Sequence, residues 1–209
     1  MRILLVDDHL LFSRGLQFLL ADLDAQAVCV IASSIARAVA EPGPFDLVML
    51  DYALPDSRGS EGLQRVRTAH EGVPVVMLSG ETQMQLVHAL VEQGAAGFIS
   101  KSADTVELLS ALRAVLAGGV YLPKQILSVV SPASAAQAGN LSPRQTQVLL
   151  KAMQGKPNKL IAVELSVAEN TVKTHLAAAF RLLGANNRTE AVFKAASLGL
   201  MPPSPNLLS

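Results

Sequence analysis

Five short apolar runs separated by helix-length stretches fill the chain up to Leu116, and this alternation limits the fold more than any other feature. The runs are Ile3–Val6, Ala27–Ile31, Leu47–Leu50, Val75–Leu78 and Gly97–Ile99. Their near-continuous apolarity predicts strands buried on both faces. The intervening helices are expected around Phe12–Leu20, Ser34–Ala40, Glu61–Thr68, Thr82–Val91 and Asp104–Leu116. In the last of these, Val106, Leu109, Leu112 and Leu116 form the predicted buried stripe, with Asp104 as N-cap and Glu107 as its reciprocal partner. Strand and helix alternating in this way require right-handed crossovers and a parallel sheet covered on both sides. Ligands of such sheets collect where loops leave the C-terminal strand ends.

Beyond that region the pattern changes. From about Ala117 to Asn140 the chain is rich in Gly, Pro, Ser and Ala, with Pro132–Ala135 as its least patterned part, and reads as a linker. Only helical signals follow. Ser142, Pro143 and Gln145 supply an N-cap, a proline at the first helical position and a capping-box partner. Asn158 is expected to cap a short helix through Leu165, and Ser166 and Val167 to form a tight turn. A longer helix is expected over Glu169–Leu183, and Asn187 with Glu190 opens the last one.

The neutral total charge conceals a division. Up to Pro123 there are 14 acidic and 8 basic residues; beyond it there are 3 acidic and 9 basic. An acidic half joined to a basic half points to cation or phosphate chemistry in the first and nucleic acid in the second. The lone Cys29 excludes disulfide and zinc frameworks and is expected to be a buried, inert thiol. The apolar run Ile3–Val6 is cut off by Asp7 and Asp8, too short for a signal peptide or a span of about 20 residues, so a cytoplasmic protein without membrane association is expected.

Asp7 and Asp8 follow the first strand and Asp51 ends the third, so a shared sheet edge would gather three carboxylates. Carboxylates this close repel unless a cation joins them, and hard oxygen ligands suit Mg²⁺. Ser79 and Lys101 follow the fourth and fifth strands and bring a hydroxyl and an ammonium to the same rim. Such a set can hold a transferring phosphoryl group while Asp51 attacks phosphorus in line.

The segments "LLVDDH", "DYALPDSRG", "VVMLSG" and "GAAGFISK" resemble the receiver domains of two-component response regulators over Met1 to about Leu122. The resemblance implies a doubly wound α/β, flavodoxin-like (βα)5 fold with strand order 2-1-3-4-5. It implies Asp51 as phosphoacceptor, Asp8 and Asp7 as direct and water-mediated Mg²⁺ ligands, and the Ala53 carbonyl as backbone ligand. Lys101 would pair with phosphate, Ser79 would move toward the phosphoryl oxygens and Phe98 would turn inward behind it. Ser102 stands where many receivers have proline after the lysine.

From Asn140 to about Leu200 the chain resembles the LuxR-type helix-turn-helix of the NarL/FixJ class, an all-α four-helix domain. Val172, Leu176, Ala179 and Leu183 would face its core. Asn170, Thr171, Lys173, Thr174, Ala177 and Arg181 would face the major groove, with Lys159 and Arg188 on the phosphate backbone. His175 is expected to pack half-buried, since His9, His70, His88 and His175 show no metal-ligand spacing. The chain departs from the family pattern at Gln145, Leu160, Ala168 and Leu182.

The expected architecture is therefore a receiver over residues 1–120, a linker over 121–139 and a DNA-binding domain over 140–209. The expected function is a DNA-binding response regulator with no separate substrate to turn over. A sensor histidine kinase would phosphorylate Asp51, and phosphorylation would control homodimerisation on promoter half-sites of double-stranded DNA. Two other readings fit less of the sequence: a phospho-regulated adaptor that no longer reads DNA, and an aspartyl-phosphate phosphatase. The second would usually place an acid where this chain has Ala53.

Overall fold

The computed structural model describes residues 1–80, 83–123 and 141–200. Most of the predicted linker, Pro132–Ala135 included, lies outside the described residues, as does Thr82 at the expected start of the fourth helix. The first region runs β1 (Arg2–Val6), α1 (Leu10–Leu20), β2 (Val28–Ala32), α2 (Ile35–Ala40), β3 (Leu47–Asp51), β4 (Ala53–Leu54), β5 (Ser57–Arg58), α3 (Ser60–Ala69), β6 (Val75–Ser79), α4 (Met84–Glu92), β7 (Gly97–Ser100) and α5 (Thr105–Leu116). The second consists of α6 (Pro143–Met153), α7 (Asn158–Glu164), α8 (Glu169–Leu183) and α9 (Arg188–Ser197).

β2, β1, β3, β6 and β7 form one parallel sheet in that order, which is 2-1-3-4-5 when the sheet's own strands are counted. The alternation of side chains along each strand divides the core in two. Leu4, Val6, Val48, Leu50 and Met77 pack beneath α2, α3 and α4, where they meet Ile35, Leu63, Val66 and Leu90. Ile3, Leu5, Met49, Val76 and Leu78 pack beneath α1 and α5, against Leu16, Leu20, Leu108 and Leu112. β3 and β6 are buried throughout, as their composition predicts. β2 is not: it is an edge strand, and Val28 stays 56% exposed.

Two further details differ from expectation. The buried face of α5 is Leu108, Leu109, Ala111, Leu112 and Val115, while Val106 is 75% exposed. At about 100° per residue Val106 lies across the helix from the stripe centred on Leu108 and Leu112. Asp104 does accept from the Glu107 N–H at 2.7 Å, but the Glu107 carboxylate accepts from the Tyr121 hydroxyl instead of returning to the cap. The hairpin of β4 and β5 was not foreseen, because two-residue strands around Pro55 and Asp56 leave no periodicity to read.

In the helical region Ser142 and Gln145 form a complete capping box. Ser166 turns the chain between α7 and α8 at φ 52°, and Gly184 closes α8 in the left-handed conformation. Asn187 caps α9 through the Glu190 N–H. Asn158 does not cap α7. Pro157 holds that position, and the Asn158 side chain instead accepts from Arg188 Nη1 at 2.6 Å.

The two regions touch through α4 and α9. The His88 ring stacks on Phe193, the Asn187 side chain donates to the Val91 carbonyl at 3.0 Å, and Gly119 lies against the Gly155 carbonyl. No helix among the described residues is long and apolar enough to cross a membrane.

Candidate functional site

The sheet register assembles the acidic site. Val6 pairs with Leu50, Asp51 with Leu78 and Ser79 with Ser100, so Asp7, Asp51, Ser79 and Lys101 emerge along one edge within a residue or two of each other. Lys101 Nζ lies 2.7 Å from Asp51 Oδ2 and 2.8 Å from Asp7 Oδ2, bridging the two carboxylates. Both acids are buried, whereas Asp8 is exposed. Burial pushes the Asp51 carboxyl up, as does Asp7, and Lys101 reverses only part of this. For Lys101 burial acts to lower the pKa, and its hydrogen bonds to Asp51 and Asp7 outweigh that and raise it.

A cavity of about 460 Å³ opens over this edge, lined by His9, Phe12, Asp51, Ala53, Ser79 and Lys101 among others. Ser79 is buried at its rim. The Ala53 N–H reaches toward Asp51 Oδ1 at 3.4 Å, which keeps the loop after β3 folded over the acid. Gly59 shapes the same loop at φ 62°, where an added Cβ would meet the Tyr52 ring at 2.6 Å. One oxygen each from Asp7, Asp8 and Asp51, with a ring nitrogen of His9, lie within 4.8 Å of one another. This set has the donor chemistry and spacing for one divalent cation.

Phe98 is fully buried and packs with Met77, Val87 and Leu90 on the α4 side of the sheet. Its ring lies inward in this structure. The peptide between Lys101 and Ser102 is trans; Gly43–Pro44 carries the cis bond found among the described residues. Cys29 is half-buried, and burial pushes its thiol up to about 11.

His9 is the site residue that sequence reasoning passed over. Its Nδ1 lies 3.1 Å from Asp7 Oδ1 and 3.0 Å from Asp8 Oδ1. Spacing among the histidines carries no signal for it; the informative neighbours are the two aspartates directly before it in "DDH".

On α8, Val172, Leu176 and Ala179 are buried and Leu183 is half-buried, as the stripe predicts. Asn170, Lys173, Thr174, Ala177 and Arg181 are exposed along the other side, with Thr171 half-buried beside them, and Lys159 is exposed on α7. Within that face Lys173 pairs with Glu169 at 3.1 Å and Thr174 Oγ1 donates to the Asn170 carbonyl at 3.0 Å. His175 packs half-buried. Arg188 is turned inward, where its guanidinium holds Asn158 Oδ1 and the Lys156 carbonyl and burial pushes its pKa down to about 10. Lys151 and Lys156 both grip Glu164, so part of the basic region's charge is paired internally.

Residues 3–113 match the response regulator receiver domain family, and residues 139–195 match the bacterial regulatory proteins of the luxR family. The glycerol metabolism activator of Pseudomonas putida is 30% identical over 94% of this chain and 96% of its own length. The response regulator UvrY of Escherichia coli K12 is 29% identical over 95% of this chain and 94% of its own. Among solved structures, a LuxR family DNA-binding response regulator from Silicibacter pomeroyi aligns at a TM-score of 0.54 with 33% identity, covering 60% of this chain and 98% of that one. RcsB of Salmonella typhimurium shares the fold over 92% of this chain and 96% of its own, at a TM-score of 0.57 and 17% identity. With matched domains at both ends and relatives aligned along nearly its whole length, the chain belongs to the response regulators that join a receiver domain to a LuxR-type DNA-binding domain.

Proposed function

We propose that a sensor histidine kinase donates a phosphoryl group to Asp51 and that the modified receiver controls dimerisation and DNA binding by α8. The observation that carries this reading is the placement of Asp51: nearly buried, open to a cavity, and held at 2.7 Å by a lysine from a different strand end. Asp51 Oδ attacks phosphorus in line as the donor's nitrogen–phosphorus bond breaks. Lys101 then shifts from the carboxylates toward the phosphoryl oxygens, and Ser79 supplies a hydroxyl to them. Asp7, Asp8, Asp51 and the Ala53 carbonyl would hold Mg²⁺, whose charge offsets that of the phosphoryl oxygens. Phe98, on the neighbouring β7, would rearrange with Ser79 as the switch pair.

The receiver extends over residues 1–120 and the DNA-binding domain over 140–209, and the chain turns over no separate substrate. It works in the cytoplasm. Asn170, Thr171, Lys173, Thr174, Ala177 and Arg181 face the major groove, Lys159 contacts phosphates, and Arg188 braces the turn before α7. Two copies on paired half-sites gain affinity that one weak reader lacks. The pairing of Lys173 with Glu169 and the alanine-rich face favour a second reading, an adaptor that does not read DNA.

Small-molecule phosphodonor applied to wild type and Asp51→Asn tests the acceptor: uptake in the wild type alone is expected, and uptake that survives in the variant sinks the assignment. Enrichment of genomic fragments at low salt with phosphorylated protein tests the readout. Retained sequences support DNA reading, and none retained supports the adaptor.

A further inference from the structure

We infer that Phe12 is a positioning residue for Lys101: its ring holds the ammonium at the acid edge, within reach of a phosphoryl group on Asp51. The consequence for phosphoryl transfer rests on the reading of Asp51 as phosphoacceptor; the geometry does not.

Lys101 Nζ lies 5.0 Å from the centroid of the Phe12 ring. That is inside the distance of about 6 Å over which the negative face of an aromatic ring attracts a cation. The same nitrogen is 2.7 Å from Asp51 Oδ2 and 2.8 Å from Asp7 Oδ2. An ammonium carries three N–H donors, so two carboxylates leave one to be placed. The three partners come from separate elements: Asp7 follows β1, Asp51 ends β3 and Phe12 lies on α1. The lysine side chain is 19% exposed, and removal from water strengthens the attraction of an ion to a ring.

The surroundings of the ring suit this task. Phe12 is half-buried and packs against the core on the α1 and α5 side of the sheet. It lines the cavity over the acid edge and also a second one of about 210 Å³ between α1 and α5, where Leu16, Leu19 and Leu108 are its neighbours. Lys101 lines both cavities as well, so the ring and the lysine together divide the two spaces. During transfer Lys101 has to exchange the Asp51 oxygen for those of the phosphoryl group. A ring face attracts the ammonium without the strict direction of a hydrogen bond, so it lets the charge slide along the acid edge while keeping it from swinging out to water.

Proton–carbon NMR of the lysine ε-methylene groups in the full chain, with Lys101→Arg to assign the signal, reads the contact directly, because an aromatic face shifts nuclei above it upfield. In wild type and Phe12→Tyr the Lys101 ε-protons should resonate upfield of the other lysines, and in Phe12→Leu they should return among them. Phosphoryl uptake from acetyl phosphate with Mg²⁺ should slow about three- to tenfold in Phe12→Leu and recover to within about twofold of wild type in Phe12→Tyr, where the ring is kept. A Lys101 signal that stays in place in Phe12→Leu, or uptake that is equal in Phe12→Leu and wild type, or as slow in Phe12→Tyr as in Phe12→Leu, overturns the role of Phe12 and reduces it to packing. Failure of the wild type to take up phosphate overturns the acceptor reading instead, and the Lys101 signal still decides whether the ring holds the lysine.

Discussion

His88 on α4 lies nearly flat against Phe193 on α9, with ring centroids 4.7 Å apart and planes 18° from parallel, so an aromatic stack joins the receiver to the helical domain. Such pairs contribute about 0.5–1.5 kcal/mol beyond the area they bury. His88 is half-exposed and Phe193 is nearly buried within its own domain's core, so the histidine is the partner that can be removed without opening a cavity. His88→Ala should leave both domains folded and raise hydrogen–deuterium exchange along α4 and α9 by about two- to tenfold, following that energy. Unchanged exchange in both helices would mean the stack adds nothing to the contact.

Gly119 and Gly155 bring the two domains backbone to backbone. A Cβ at Gly119 would lie 2.0 Å from the Gly155 carbonyl oxygen and 2.8 Å from that of Ala114, and both obstacles are backbone. Gly119→Ala should therefore force the domains apart, with a larger radius of gyration by small-angle scattering and a receiver destabilised by roughly 1–3 kcal/mol from the local clash. A scattering curve identical to wild type would show that the joint yields without opening.

α8 begins without a side-chain cap. Ala168 sits at the N-cap position with φ −69° and ψ 148°, the extended conformation that a capping serine adopts. Ala168→Ser should stabilise the helical domain by about 1 kcal/mol, read as a higher urea midpoint at unchanged slope. No gain would mean that water already serves the free N–H groups of the first turn.

Glu190 gives the helical domain a defined response to acid. Burial pushes its carboxyl up, and the Lys194 ammonium at 2.6 Å with the Asn186 N–H at 2.7 Å more than reverses this, holding it below 4.5. A depressed carboxyl stabilises the fold fully above the unfolded value of 4.5, and that contribution disappears as pH falls through the lower folded value. Glu190→Gln should cost about 1.5–3 kcal/mol at pH 7, since it removes hydrogen bonds to a charged group, and should flatten the stability profile below pH 4.5. Parallel profiles for the two proteins would assign the acid sensitivity elsewhere.

The receiver was legible because strands buried on both faces leave unbroken apolar runs, and because Asp7, Asp51 and Lys101 each sit where such a run stops. The parallel register then had to bring them to one edge. What escaped was whatever depended on side-chain direction. The inward turn of Arg188, the exposure of Val106 and the approach of His9 to two aspartates follow from rotamers and helix rotation, which spacing alone does not fix. The contact between α4 and α9 was equally hidden, because each helix has an apolar face that its own domain accounts for.

The outer face of α8 stays open while α9 is held against α4. A duplex meeting only those exposed side chains would touch the same atoms whether the domains are joined or parted, and a ligand that binds two states equally shifts neither. The exposed side chains of α8 are therefore not the surface that the receiver covers. Two contacts join the domains, α9 on α4 and Gly119 against Gly155, and a signal that reaches the promoter has to pass through one of them.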